Sequence, residues 1–143
     1  MGHFLIILSL LLFSFTIISC GTNDNTANST NTESSSYSDN GTIFTITVNS
    51  SKFYIDGTLT KSLILKKGYT YYFDSTDSTT NNHPLFIGTT SSGGSYTYEY
   101  TSGVTNSRTT NGTLTIVVPS DSPSTLYYNC GFHVSMGGTL TIN

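Results

Sequence analysis

Apolar and polar residues alternate with a period of two over much of the chain after residue 40. In the stretch TIFTITV, residues 42–48, Phe44, Ile46 and Val48 share one face and threonines separate them, which is typical of a half-buried β-strand. Comparable short runs follow in the order KFYI, SLIL, YTYYF, HPLFIG, SYTYEY, GTLTIVV, STLYYNC and GTLTIN. No stretch has a helical period long enough to matter, so we predict seven to eight strands.

The spacing of these runs predicts an all-β fold. Short strands separated by turn residues such as the Asp-Gly pair at residues 56–57 favour an antiparallel β-sandwich or barrel. We expect the SYTYEY run to be a strand with its three tyrosines, Tyr96, Tyr98 and Tyr100, on one side. The two predicted sheets would share one core, formed by Phe44, Ile46, Leu63, Leu65, Phe73, Ile116, Val118, Leu126, Leu140 and Ile142.

The first nineteen residues resemble a targeting sequence. The run from Phe4 to Ile18 is apolar, about as long as the hydrophobic region of a signal peptide and short for a membrane span. Its end, IISC, resembles a bacterial lipobox, in which the cysteine is acylated and becomes the first mature residue. This resemblance implies a lipoprotein signal peptide over residues 1–19 and lipidation of Cys20. An ordinary secretory peptide and an uncleaved short anchor remain as alternatives.

Residues 20–40 are rich in Asn, Ser and Thr and poor in apolar side chains, so we predict a flexible linker before a domain at residues 41–143. The lipoprotein hypothesis places this domain outside the cytoplasm, on the periplasmic face or the cell surface, or in the medium if the chain is not lipidated. The formal net charge of −3 belongs to the leading segment, because acidic and basic residues balance from Gly41 onward. A neutral domain argues against nucleic acid as a partner.

The segment YYNCGFHVSMGG concentrates the metal-binding side chains of the chain. Cys130, His133 and Met136 follow one another at intervals of three residues. If Cys20 is lipidated or removed, Cys130 has no cysteine partner, and a lone thiol outside the cytoplasm is exposed to oxidation. Thiolate, thioether and imidazole are the donors that select copper. A second imidazole is available from His83, which begins the HPLFIG run.

One tight loop with this C-x2-H-x2-M spacing could hold a single metal ion. We expect Gly137 and Gly138 to relieve the backbone where the loop turns into the final strand.

An upstream histidine at a strand start, followed by a late Cys-His-Met loop, resembles the cupredoxin (type 1 blue copper) family, with loop spacing of the amicyanin and plastocyanin type. The resemblance covers about residues 41–143 and implies a Greek-key β-sandwich that binds one copper ion. It implies His83, Cys130 and His133 as trigonal ligands and Met136 as a weak axial ligand. These relatives usually have Asn after the upstream histidine, and its N–H donates to the cysteine sulfur. Here Pro84 has no N–H, so we expect a lower reduction potential.

Four protein donors leave no position for a substrate, so the chemistry favours a one-electron carrier over an enzyme. No nucleophile elbow supports an enzyme either. The resemblance implies that His133 lies near the surface among apolar residues such as Phe132 and Val134 and serves as the electron port. We expect a monomer that is tethered to a membrane by its lipid and meets an unidentified redox protein. The alternatives are a copper delivery or storage protein and a cupredoxin-like interaction module without a redox role.

Overall fold

The computed structural model describes residues 41–143. The predicted signal peptide, Cys20 and the predicted linker lie outside the described residues. Within residues 41–143 no helix is long and apolar enough to cross a bilayer. The helical structure of this part is a single short 3-10 turn, Ser78–Thr80.

Residues 41–143 form ten strands, which build two sheets. The strands are β1 (Thr42–Asn49), β2 (Lys52–Ile55), β3 (Thr58–Leu59), β4 (Leu63–Leu65), β5 (Thr70–Asp74), β6 (Leu85–Gly88), β7 (Val104–Thr105), β8 (Thr113–Val117), β9 (Thr125–Cys130) and β10 (Gly137–Ile142). One sheet has the order β3-β2-β1-β5-β8-β7 and the other the order β4-β10-β9-β6. The prediction of an all-β sandwich is confirmed.

The sheets are mixed, whereas the sequence led us to expect antiparallel ones. β1 runs parallel to β5, with Phe44 opposite Phe73, and β4 runs parallel to β10, with Leu63 opposite Leu140. Side-chain alternation identifies the buried face of a strand but carries no information about the direction of its neighbour. The chain crosses between the sheets after β3, β4, β5, β6 and β8, in the manner of Greek-key sandwiches. The strand count exceeds the predicted seven to eight partly because β3 and β7 have only two residues each.

All ten predicted core residues are buried and belong to one continuous cluster between the sheets. Phe44 stacks on Tyr71 and packs against Phe73 at a centroid distance of 5.3 Å. Cys130 and Met136 belong to the same cluster, so two of the predicted metal ligands are continuous with the core. Burial of this apolar surface from both sheets is the main source of stability in such a sandwich.

The prediction of a strand over the SYTYEY run is wrong. Residues 95–100 form turns and one isolated bridge beside β6, where Glu99 meets Gly88. Phe86 is buried although it lies outside the core cluster, because Tyr96 covers it with an edge-on ring contact at 5.1 Å. Tyr96 therefore covers Phe86, whereas Tyr100 packs against the core cluster. Tyr98 remains 56% exposed.

The two ends of the sandwich differ in what they carry. At one end, the backbone N–H of Lys67 donates to the carbonyl of Asn143, just after β10, and Gly68 donates to Val118, just after β8. The same end holds the first residues of β1, because Thr42 pairs with Tyr71 near the start of β5. The loop between β9 and β10, which carries the predicted ligands, begins at the opposite end of β10.

Candidate metal centre

Strand pairing brings two of the predicted ligands together. Cys130 is the last residue of β9, and it pairs with Leu85, the first residue of β6. His83 lies two residues before Leu85, so it extends beyond the strand ends next to Cys130. The backbone N–H of His83 donates to the carbonyl of Thr80 at 2.9 Å, which ties the histidine to the short 3-10 turn. A histidine 47 residues from the cysteine thereby reaches the same site.

The loop between β9 and β10 adds the second imidazole. The Nδ1 atoms of His133 and His83 lie 3.4 Å and 3.9 Å from the Sγ atom of Cys130. One ligand atom from each of these three residues lies within 4.8 Å of the others. Two donors about 2.0–2.3 Å from a shared ion, at a roughly trigonal or tetrahedral angle, are separated by about 3.5–3.8 Å. The observed separations therefore suit coordination of a single ion.

The sulfur of Cys130 is buried but already accepts hydrogen bonds. Burial raises the pKa of the Cys130 thiol, and the backbone N–H groups of Phe132 and His133, which donate to the sulfur, oppose that rise. Pro84 has no N–H to contribute, and its carbonyl accepts the N–H of Gly131 at 2.8 Å. The ligand loop itself thus supplies the donors to the sulfur, and metal binding there must displace the thiol proton.

The surroundings of His83 favour the neutral form of its imidazole, which is the form that binds a metal ion. Burial lowers the pKa of His83, and the nearby His133 lowers it further. The two rings lie 4.7 Å apart between centroids. Two cationic rings at this distance would repel each other, whereas two neutral rings can each present a lone pair to one cation.

Three contacts from other segments hold the ligand loop. Gly94 donates its N–H to the carbonyl of Cys130 at 2.9 Å, and Ser135 donates to the carbonyl of Ser92 at 3.2 Å. The ammonium group of Lys52 on β2 donates to the carbonyl of Ser135 at 2.8 Å. These contacts join the loop to the connection between β6 and β7 and to β2 of the six-stranded sheet. No sequence pattern predicted these contacts, because their partners are far apart along the chain.

The turn into β10 differs from our expectation. Ser135, with φ of 55°, adopts the left-handed conformation, and neither Gly137 nor Gly138 has a positive φ. The two glycines allow close packing instead, since a Cβ at Gly137 would collide with the backbone of Tyr128 and one at Gly138 with its ring. The expected role of these glycines in the turn is therefore wrong, and their small size serves the β9–β10 pairing.

Met136 and the residues around His133 complete the neighbourhood. Met136 is fully buried in the core cluster, and its carbonyl accepts the N–H of Cys130 at 2.8 Å, so its backbone lies beside the cysteine. Its role as a weak axial ligand stays a prediction. His133 is half-buried, while its neighbours Phe132 and Val134 are 64% and 73% exposed.

No protein-family model matches the chain, and no curated protein matches it. Solved structures of rusticyanin are similar to it. One, from Thiobacillus ferrooxidans, is 15% identical, with 71% of this chain and 76% of that chain covered and a TM-score of 0.45. Reduced rusticyanin is 12% identical, with coverage of 71% and 78% and a TM-score of 0.42. Rusticyanin is described as a copper protein.

Proposed function

We propose that the protein binds one copper ion at a type 1 centre and works as a one-electron carrier. The observation that carries this proposal is the convergence of His83, Cys130 and His133, whose ligand atoms lie within 4.8 Å of one another. One thiolate with two imidazoles is the donor set of blue copper sites. Copper bound there supplies a one-electron couple between Cu(I) and Cu(II).

The protein's own groups supply the rest. His83 is held by the Thr80 carbonyl and Cys130 by the β6–β9 pairing, so both donors keep their places when the charge of the site changes. Met136 lies in the core beside the cysteine and is our proposed fourth donor. A site enclosed by four protein donors exchanges electrons without binding a substrate, so we do not expect an enzyme.

Electron exchange is proposed to occur through the imidazole of His133. Phe132 and Val134, both largely exposed, flank it and form a small apolar surface. Small, partly apolar contacts are typical of weak redox encounters, in which rapid dissociation matters more than affinity. The partner is proposed to be a redox protein that meets the monomer at this surface.

We also propose that acylated Cys20 anchors the chain to a membrane outside the cytoplasm. The apolar run and the lipobox-like IISC sequence support this placement. Radiolabelled fatty acid should be incorporated by the wild-type chain but not by a Cys20→Ser variant, and the variant should leave the membrane fraction. Equal labelling of the two would refute the anchor.

The full-length chain loaded with Cu(II) tests the copper site. We expect an intense visible band from thiolate-to-copper charge transfer, together with the small copper hyperfine splitting in EPR spectra that such a thiolate bond produces. Both should vanish in Cys130→Ser, which keeps the shape of the side chain but removes the soft donor. A wild-type spectrum like that of Cys130→Ser would refute the proposal.

A carrier and a delivery protein differ in how they hold the metal. Reversible one-electron voltammetry with slow release of copper to a chelator supports the carrier. Rapid transfer of Cu(I) to the chelator would assign the site to delivery or storage.

A further inference from the structure

A charged and aromatic cluster stands beside the candidate metal centre. The side chain of Glu99 is only 8% exposed, and its carboxylate forms an ion pair with Arg108. It also accepts the hydroxyl of Ser107 at 2.6 Å. The guanidinium of Arg108 lies over the ring of Tyr96, 4.2 Å from its centroid. Phe86 supports the same ring with its edge-on contact.

This cluster contacts the ligand loop at Gly131. The phenol end of Tyr96 packs against the α-carbon of Gly131, so closely that any Cβ at Gly131 would overlap the Tyr96 ring. Gly131 is the residue that follows Cys130. Its N–H is bonded to the carbonyl of Pro84, the residue that follows His83. Tyr96 therefore meets the backbone where the two ligand-bearing segments are joined.

The residues just after Gly131 supply the hydrogen bonds to the sulfur. The N–H groups of Phe132 and His133 donate to Cys130, and their direction depends on the path of the backbone through Gly131. Because Pro84 contributes no N–H, these two groups have a larger effect on the charge of the Cys130 sulfur than they would have beside a third donor. A support that fixes the Gly131 backbone consequently fixes the environment of the thiolate.

We propose that Tyr96, held by Arg108 and Glu99, is a positioning residue that presses on Gly131 and keeps the Phe132 and His133 N–H groups directed at the Cys130 sulfur. This inference rests on the proposed copper function, because the N–H groups serve a copper-bound thiolate. The contact between Tyr96 and Gly131 also exists in the metal-free protein, so the positioning role and the copper function can be tested separately.

Amide hydrogen exchange in the metal-free, full-length protein tests the geometric part. In Tyr96→Ala, the amides of Phe132 and His133 should exchange at least about fivefold faster, since each loses the support of its hydrogen bond. Tyr98→Ala is the matched control: it removes an exposed tyrosine two residues away and should leave both amides unchanged. Equal exchange in the two variants would overturn the proposal.

A double-mutant cycle tests the contact itself. Gly131→Ala should weaken folding in the wild-type background, because its Cβ has no space beside the Tyr96 ring. In Tyr96→Ala that space exists, so the folding equilibrium constant should fall about tenfold less. Additive effects would show that Tyr96 does not press on Gly131. If Tyr96→Ala does not fold, Arg108→Met, which removes the cation over the ring, gives the same exchange test with a smaller expected change.

Copper loading separates this proposal from the proposed function. With copper bound, Tyr96→Ala should lower the reduction potential, because a sulfur with weaker hydrogen bonds favours Cu(II), while Tyr98→Ala should stay near the wild type. A protein that fails to bind copper but shows the predicted exchange pattern refutes the function and leaves the positioning role intact. A copper-loaded Tyr96→Ala variant with an unchanged potential overturns the positioning role alone.

Discussion

Adding a backbone donor at residue 84 should raise the reduction potential of the copper-loaded protein. Pro84 follows His83, is buried, and offers no N–H, whereas its carbonyl already accepts Gly131. Pro84→Asn keeps the carbonyl and adds an N–H, which we expect to donate to the Cys130 sulfur. A hydrogen bond to a thiolate is worth most when the sulfur carries most charge, which is the reduced state, so the added donor favours Cu(I).

The size of the shift follows from the donors already present. A hydrogen bond to a charged acceptor contributes about 1.5–3 kcal/mol, but only the difference between the two oxidation states moves the potential. Phe132 and His133 already donate to this sulfur, so we take a difference of about 0.5–1.5 kcal/mol for a third donor. One-electron couples shift by 59 mV per tenfold change in the equilibrium constant, so this difference corresponds to a rise of about 20–65 mV.

Protein-film voltammetry on the wild type, Pro84→Asn and Pro84→Ala measures this shift. Pro84→Ala is the matched control, because it adds the same N–H without the amide side chain. Both variants should rise by similar amounts. An unchanged or lowered potential in both would refute the reasoning. A rise in Pro84→Asn alone would assign the effect to the side chain.

Three further predictions concern the metal-free and metal-bound domain. Met136→Leu should lower the free energy of unfolding in urea by less than about 1.5 kcal/mol, whereas Met136→Ala, which leaves a cavity in the core, should lower it by about 2–5 kcal/mol. With copper bound, Met136→Leu should raise the reduction potential because a weak donor is lost. The hydrogen bond from Arg108 lowers the pKa of Glu99. As pH falls below about 4.5, the unfolded chain therefore takes up this proton before the folded protein does, and stability declines until pH passes the lowered pKa. Glu99→Gln should flatten that decline in acid unfolding curves. Burial raises the pKa of Tyr128 to about 12. Because the unfolded chain ionises first, stability should fall as pH rises from about 10 toward 12, and a Tyr128→Phe variant that keeps the same slope would contradict this.

The alternation of side chains was sufficient to predict the buried faces of the strands. Phe44 and Ile46 on β1, and Leu140 and Ile142 on β10, are buried as the period of two requires. The same alternation misled at Tyr96, Tyr98 and Tyr100, because these tyrosines lie in a turn segment whose spacing of two residues does not come from a strand. The direction of neighbouring strands could not be predicted from the sequence either, because the parallel pairing of β1 with β5 depends on how distant segments pack together.

The donors of the candidate site could be counted in the sequence because the chain has so few of them. With two cysteines, three histidines and two methionines in total, little choice remained once the leading segment was set aside. The supports of the site were not accessible in this way. Gly94 and Tyr96 reach the Cys130 loop across more than thirty residues, and their own neighbours in the sequence are ordinary turn residues. Contacts of this kind arise from tertiary packing and leave no local pattern.

The first residues of β1 and the candidate ligands lie at opposite ends of the sandwich, separated by roughly the 25 Å that an eight-residue strand spans. If the chain is anchored through its amino-terminal segment, the point where residues 41–143 are attached and the His133 edge lie at opposite ends of the sandwich, so the attachment leaves that edge uncovered. An uncovered edge suits electron exchange with water-soluble proteins, or with the protruding domains of membrane complexes.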